Sequence, residues 1–254
     1  MKNIWVIAKN TLKLEVRDKI LYGIIVFGLL YIFVALFLSD LVLKELPMVK
    51  SFGLTGIYFF NALVALFLGT TSFFKDIDRK VAYFILSKPV SRAQFLLGKF
   101  FGLCLVLLLT SAILAVAYLG LVAYEHGGFD GLGLLAIAMQ FLEMALFLAF
   151  AIFVSTFSSS LLSIVYTSGV FFLGHVVSVM LTDARTIGIT GVKYALVEFL
   201  YYVFPNLEKF DARNLAIHSV AMPFASFALA FAYAAVYIVL LLVAAIRIFD
   251  RKEI

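Results

Sequence analysis

Apolar residues run along this chain in blocks too long and too unbroken for strands, with polar and charged residues gathered into short stretches between them. A membrane-crossing helix needs about 20 predominantly apolar residues, because about 30 Å of hydrocarbon is crossed at about 1.5 Å per residue. Six blocks meet that requirement: Ile20–Leu38, Gly53–Phe74, Phe100–Tyr124, Leu132–Phe157, Leu161–Leu181 and Pro223–Ile246. Outer-membrane strands would instead alternate apolar and polar positions over about 10 residues. Runs such as Leu103–Leu109 do not alternate, so the pattern predicts an all-α membrane protein.

Before the first block, a helix over Met1–Lys19 gathers Ile4, Trp5, Ala8, Leu12 and Val16 on one side, with Lys2, Lys9, Lys13 and Arg17 beside it. That division predicts an amphipathic helix lying in the membrane interface, Trp5 on its apolar side. Of the connections, Ser39–Phe52 and the Gly-rich Glu125–Gly131 are short, and Ser155–Ser160 forms an uncharged polar turn. The long exception is Thr182–Met222. Gly188, Gly191, Lys193 and Glu198 interrupt a seventh apolar run there, and Phe199, Tyr201, Tyr202 and Phe204 precede Pro205-Asn206. A short or re-entrant outer helix is expected. With no repeat of 20–50 residues and no separable soluble portion, residues 1–254 read as one membrane domain.

Composition agrees with the pattern, at 65% hydrophobic and 14% charged, with mean hydropathy +1.12. Charge then sets an orientation. With an inside N-terminus, fourteen of the twenty Lys and Arg fall on the cytoplasmic side, as the positive-inside rule requires. Both termini are therefore expected in the cytoplasm of a bacterial or archaeal cell, in its cytoplasmic membrane. The net charge of +5 is accounted for by inner-leaflet lipids, without nucleic acid. Met1–Lys19 is too long and mixed for a signal-peptide n-region, so the first block is expected to stay as an anchor. The single cysteine, Cys104, lies inside the third block and has no partner for a disulfide.

Candidate chemistry is sparse. There is no G-x-x-x-x-G-K-[ST] phosphate loop, since Gly98-Lys99 lacks the upstream glycine and is followed by Phe100, so ATP is not bound in that manner. His126, His175 and His218 are scattered without metal-ligand spacing. Two ionisable residues sit inside apolar blocks, Glu143 and His175. Burying charge in hydrocarbon is costly, so each is a candidate for a transport path or subunit interface. The alternative is a hydrogen-bonded structural role. A self-sufficient secondary transporter titrating Glu143 or His175 is one functional class left open; a membrane-embedded enzyme, lacking clustered acids or a nucleophile, is the least supported.

The basic stretch Lys75–Lys99 is the most distinctive. It contains Asp76-Ile77-Asp78-Arg79-Lys80, then Ser87-Lys88-Pro89-Val90-Ser91-Arg92, then Gly98-Lys99-Phe100-Phe101-Gly102. Taken with the six-block order, the N-terminal helix and the outer segment ending Pro205-Asn206-Leu207-Glu208, it resembles the permease subunits of type-2 ABC transporters, nearest the branch that includes the nitrous-oxide-reductase maturation permease. The resemblance implies a homodimer of permeases bound to two copies of a separate ATPase that carries the ATP, with no cofactor in this chain. It also implies a periplasmic accessory protein as a further partner, and a cargo for metalloenzyme maturation.

The loop after the second span would be the ATPase-coupling element, with Asp76, Asp78, Arg79, Lys88, Pro89, Ser91 and Arg92 as its residues. Asp76 and Asp78 would pair with Arg79, Lys80 or the N-terminal helix, while Lys88 and Arg92 would face an acidic groove. Pro89 punctuates this loop, and Ser91 is placed to cap a helix starting near Arg92. One departure is that Arg79-Lys80-Val81 stands where the wider family often has Gly-Thr. Small residues, Gly23, Gly28, Gly69, Ala112, Ala115, Gly169 and Gly174, would permit close helix approach, between copies or within one.

Overall fold

The computed structural model describes residues 2–41, 46–78, 90–126, 128–188 and 190–251. Helix dominates them, as expected of a chain that must satisfy its backbone polar groups internally in lipid. The helices are α1 (Lys2–Glu15), α2 (Lys19–Leu41), α3 (Leu46–Asp78), α4 (Arg92–His126), α5 (Gly131–Ser155), α6 (Ser160–Ile187), α7 (Val192–Val203), α8 (Arg213–Ile217) and α9 (Phe224–Asp250). A 3-10 turn, Leu207–Phe210, precedes α8.

Helices α3, α4, α5, α6 and α9 are each long and apolar enough to span a membrane. Helices α1 and α2, bent by 67° at the break between them, make a sixth if the pair is counted as one broken span. The bend falls at Val16–Asp18, where the Asp18 carboxylate accepts the Ile20 N–H at 2.9 Å and caps α2.

Helix α5 is the central post. Sixteen of its residues are buried, from Gly133 to Ser155, and it packs against α3, α4, α6 and α9. Two apolar clusters stack along it. One contains Leu54, Ile57, Leu114, Tyr118, Ile137, Met139 and Phe210; the other contains Leu68, Phe73, Phe95, Leu96, Met144, Ile152 and Phe249. The second lies at the end bearing α1, called here the basic end; the first lies toward the far end.

Several sequence boundaries move. Helix α3 begins at Leu46, so Leu46–Phe52 is helix and not loop, because Asp130 accepts a hydrogen bond from Lys50 Nζ at 3.1 Å and gives that cation a buried partner. Helix α4 begins at Arg92, eight residues before the predicted span. The turn after α5 is polar as read, but Ser155 and Thr156 are fully buried, their hydroxyls donating to the carbonyls of Ala151 and Phe153. On α1 the packed side is Ile7, Ala8, Thr11 and Glu15, and Trp5 is 62% exposed.

Helix α1 lies across α4 at two glycines one turn apart. A Cβ on Gly98 would come within 2.7 Å of Ile7 Cβ, and one on Gly102 within 2.6 Å of Thr11 Cβ and 2.7 Å of the Ala8 carbonyl. Only glycine permits that approach. Gly69 meets Ala151 and Leu148, and Gly174 meets Leu207 and the Pro205 carbonyl, so these serve packing within the chain. Gly23 and Gly169 have open space where a Cβ would stand.

After Ile187 the chain turns through Gly188 and Gly191, both at φ 75°, where an L side chain would be strained. Helix α7 follows, twelve residues long, its Tyr194 hydroxyl accepting from Arg185 Nε at 3.3 Å.

Candidate functional site

Two polar assemblies are built into this apolar frame. The first lies at the basic end, on both sides of the loop that joins α3 to α4. Lys99, 2% exposed, is held inside by charge: its Nζ bonds Asp76 Oδ2 at 2.5 Å and stands 4.0 Å from Glu15 Oε1. The Ser72 hydroxyl donates to the same Glu15 oxygen, and Lys75 pairs with Asp18. Thus the last two turns of α3 and the first two of α4 are tied to α1 and its bend. A buried ion pair is tolerated only with such additional hydrogen bonds.

The loop's second leg is fixed by aromatic and cap contacts. Ser91 Oγ accepts the Gln94 N–H at 3.1 Å while Gln94 Oε1 accepts the Ser91 N–H at 3.4 Å, a reciprocal capping box at the start of α4. Arg92 turns to the end of α9, donating to the carbonyls of Phe249 at 2.7 Å and Asp250 at 3.2 Å, with its guanidinium 5.6 Å from the Phe249 ring centre. A cation there meets the negative end of the helix dipole. Phe249 is also sandwiched by Phe73 at 5.5 Å and Phe95 at 6.2 Å.

Of the loop residues singled out in the sequence, Asp76, Ser91 and Arg92 therefore have defined partners. Asp76 pairs with Lys99, and Ser91 caps the spanning helix itself. The backbone of Asp78 ends α3. Arg79, Lys88 and Pro89 lie outside the described residues. Sequence reading missed Glu15, Asp18 and Lys99 as members of this assembly. The available signal was the Lys99 that interrupts an apolar run between two glycines.

The second assembly lies within the helices and joins the two intramembrane residues that sequence reading singled out. Glu143 of α5 is 1% exposed. Its Oε1 is 3.0 Å from His175 Nε2 of α6 and accepts the Tyr58 hydroxyl of α3 at 2.8 Å. Tyr58 Oη and His175 Nε2 are 2.5 Å apart, closing a triangle. His175 Nδ1 lies 2.8 Å from the Phe171 carbonyl, which can only accept, and this assigns a proton to Nδ1.

A lid of charge covers the triangle. Arg213, at the start of α8, places its guanidinium 4.4 Å from the centre of the Tyr58 ring and donates from Nε at 2.9 Å and from Nη2 at 2.7 Å to Asp211. Burial pushes the Asp211 carboxyl up, but the Arg213 hydrogen bonds and charge outweigh it and hold it below the usual carboxylate range. The segment is positioned by Asn206, whose side chain accepts the Glu208 N–H at 3.1 Å and whose backbone N–H donates to the Tyr233 hydroxyl at 2.9 Å, and by fully buried Phe210.

A third buried pair secures the far end. Lys50 Nζ bonds Asp130 Oδ1 at 3.1 Å and the Ala216 carbonyl at 3.3 Å. Asp130 caps α5 through the Gly133 N–H at 3.1 Å and accepts the Tyr118 hydroxyl at 2.6 Å. Burial raises its carboxyl, and the Tyr118, Gly133 and Lys50 hydrogen bonds more than reverse this, leaving it below the usual range. Among the described residues, no group of three His, Cys, Asp or Glu side chains is placed to hold a metal ion.

The family model described as "ABC-2 family transporter protein" matches residues 5–254, nearly the whole chain. The chain belongs to the ABC-2 transporter family. No curated protein matches it in a parallel comparison. ABC-2 family membership, together with five to six helices able to span a membrane, makes this a multi-pass membrane protein and a permease component of an ABC transporter. In ABC-2 permeases the transport component is distinct from the ATPase, and this chain carries no phosphate-binding loop.

Proposed function

We propose that this permease couples ATP hydrolysis in a separate ATPase subunit to movement of a substrate across the cytoplasmic membrane, with both termini inside. ATP is held by two copies of the partner ATPase and no cofactor by this chain, which works as a homodimer. The observation that carries the reading is the family match over residues 5–254. The geometry adds where force would enter. Residues 79–89 connect two helix ends, and both ends are tied to α1 and α9 through Lys99–Asp76 and Phe249. A push on that loop reaches four helices at once, with Arg79 and Lys88 as the charges offered to the ATPase. Helix α1 lies in the interface on this side, and residues 182–222 face a periplasmic accessory protein. The role in maturing a periplasmic metalloenzyme rests on the resemblance of residues 76–102 alone.

The test is affinity purification of the tagged full chain in mild detergent, with mass spectrometry of its partners and ATP hydrolysis assayed on the complex. A stoichiometric ATPase whose association is lost in Lys88→Glu is the expected result. A solitary chain, with partner loss excluded by crosslinking, overturns it. Arg92→Glu is a poor probe, because Arg92 caps α9 and its loss disturbs the platform itself.

One observation favours a second reading, a self-sufficient secondary transporter: Glu143 and His175, far apart in sequence, share a hydrogen bond inside the membrane-spanning region. It predicts transport by the chain reconstituted alone, which the first reading excludes.

A further inference from the structure

Helix α9 and the turn before α8 leave a groove of about 640 Å³ between them, within the range of about 300–1,000 Å³ usual for small-molecule sites. From α9 it is lined by Ser226, Leu229, Ala230, Tyr233, Val236 and Tyr237, a spacing that keeps to one face of a helix. Small Ser226 and Ala230 form the trough, while Leu229, 71% exposed, and Val236, 58% exposed, stand out as its walls. From Ser226 to Tyr237 it runs about 16 Å along the axis. That is the depth of one leaflet, half of a hydrocarbon core of about 30 Å.

The lining carries one charge, Lys209. It is exposed, and its Nζ stands 4.3 Å from the centre of the Tyr233 ring. The platform beneath it is fixed: the Tyr233 hydroxyl accepts the Asn206 N–H at 2.9 Å, the Tyr237 ring packs at 4.7 Å, and the adjacent Phe210 is fully buried. Neighbouring acids leave this ammonium alone. Both Asp211 oxygens are taken by Arg213, and among the described residues no carboxylate, that of Glu208 included, lies within ion-pair distance of Lys209.

Depth makes the missing anion matter. Tyr233 stands nine residues beyond the start of α9 at Phe224, and helical side chains lean toward the N-terminus. The ring and the ammonium on it therefore lie about 8 Å inside the helix end. A cation facing lipid there is costly, and an aromatic face offsets the cost only in part.

We propose that this groove holds one anionic phospholipid of the leaflet at the far end, its phosphate on Lys209, its headgroup beside Ser226 and an acyl chain along Leu229, Val236 and Tyr237. A soluble anion would leave the apolar trough empty, and a zwitterionic lipid brings a second cation beside the ammonium. The lipid braces the turn that sets Arg213 over Tyr58. The site goes beyond the ATPase-coupled reading and needs no nucleotide, so the two fail separately.

The test is native mass spectrometry of the full chain, delipidated in detergent and titrated with phosphatidylglycerol or with phosphatidylcholine of identical acyl chains. One saturable phosphatidylglycerol is expected, bound about fivefold more tightly than phosphatidylcholine. Lys209→Gln removes that preference without lowering the affinity for phosphatidylcholine, Lys209→Arg retains it, and Lys193→Gln leaves it unchanged. Ser226→Trp, at an exposed position, fills the trough and weakens both lipids. A photo-activated crosslinker at position 229 captures phospholipid in native membranes. Equal affinity for the two lipids, a preference that persists in Lys209→Gln of unchanged Tm, its loss in Lys193→Gln, or unweakened binding in Ser226→Trp overturns the proposal. Displacement of the lipid by glycerol 3-phosphate at equal concentration, or capture of a polypeptide in place of lipid from position 229, overturns it as well.

Discussion

Lys50 shows most clearly how a single residue can differ from its sequence context. It stands near Lys44 and Glu45, which suggests an exposed loop, yet it is 5% exposed and bonded to Asp130, eighty residues away. Replacing it by Met leaves Asp130 buried without its cation, a loss of about 3–5 kcal/mol, read as a lowered Tm of the detergent-solubilised protein. The pH dependence has a definite sign. Asp130 is held below its ordinary range, so its stabilisation is complete above about pH 4 and is lost as pH falls through the depressed value. In Lys50→Met the Asp130 carboxyl rises, and the acid loss of Tm moves to higher pH. A pH–Tm series on both proteins checks this.

Glu143 and His175 were legible as intramembrane ionisable residues, because an apolar run makes any charge conspicuous. Their pairing was not, since helical periodicity within one segment says nothing about which face of another helix it meets. Tyr58 and Arg213 were invisible for a different reason: a tyrosine in an apolar run and an arginine in a polar loop are both ordinary there.

At the scale of elements, the long apolar helices followed from the sequence because membrane thickness fixes their length. Their ends did not, because Leu46–Phe52 and Arg92–Lys99 are helical through tertiary contacts rather than apolar content. The side of helix α1 that packs on α4 was not legible, since Gly98 and Gly102 select the small Ala8 and Thr11 at the crossing and leave Trp5 exposed. That crossing makes a prediction. Gly98→Leu or Gly102→Leu separates α1 from α4, expected as faster proteolysis between α1 and α2 and a lowered Tm, whereas Gly23→Leu, with open space at its Cβ, changes neither. The start of α4 makes another. Ser91→Ala removes half of the capping box and costs about 1 kcal/mol, seen as about fivefold faster amide exchange in the first turn of α4.

For the whole molecule, the two polar assemblies divide the labour. The basic end binds α1, α3, α4 and α9 into one body around the two helix ends, Asp78 and Arg92, while the Tyr58–Glu143–His175 triangle sits between α3, α5 and α6 beneath Arg213. A force applied to the loop therefore has a continuous route along α3 from Asp76 to Tyr58. That loop is the account's central claim, and a photo-activated crosslinker at position 88, used in intact cells, tests it most directly. The account predicts capture of a protein bearing a phosphate-binding loop, with no such capture from a crosslinker at position 187 at the far end. Capture of that ATPase from position 187 and not from position 88, or from neither, contradicts it.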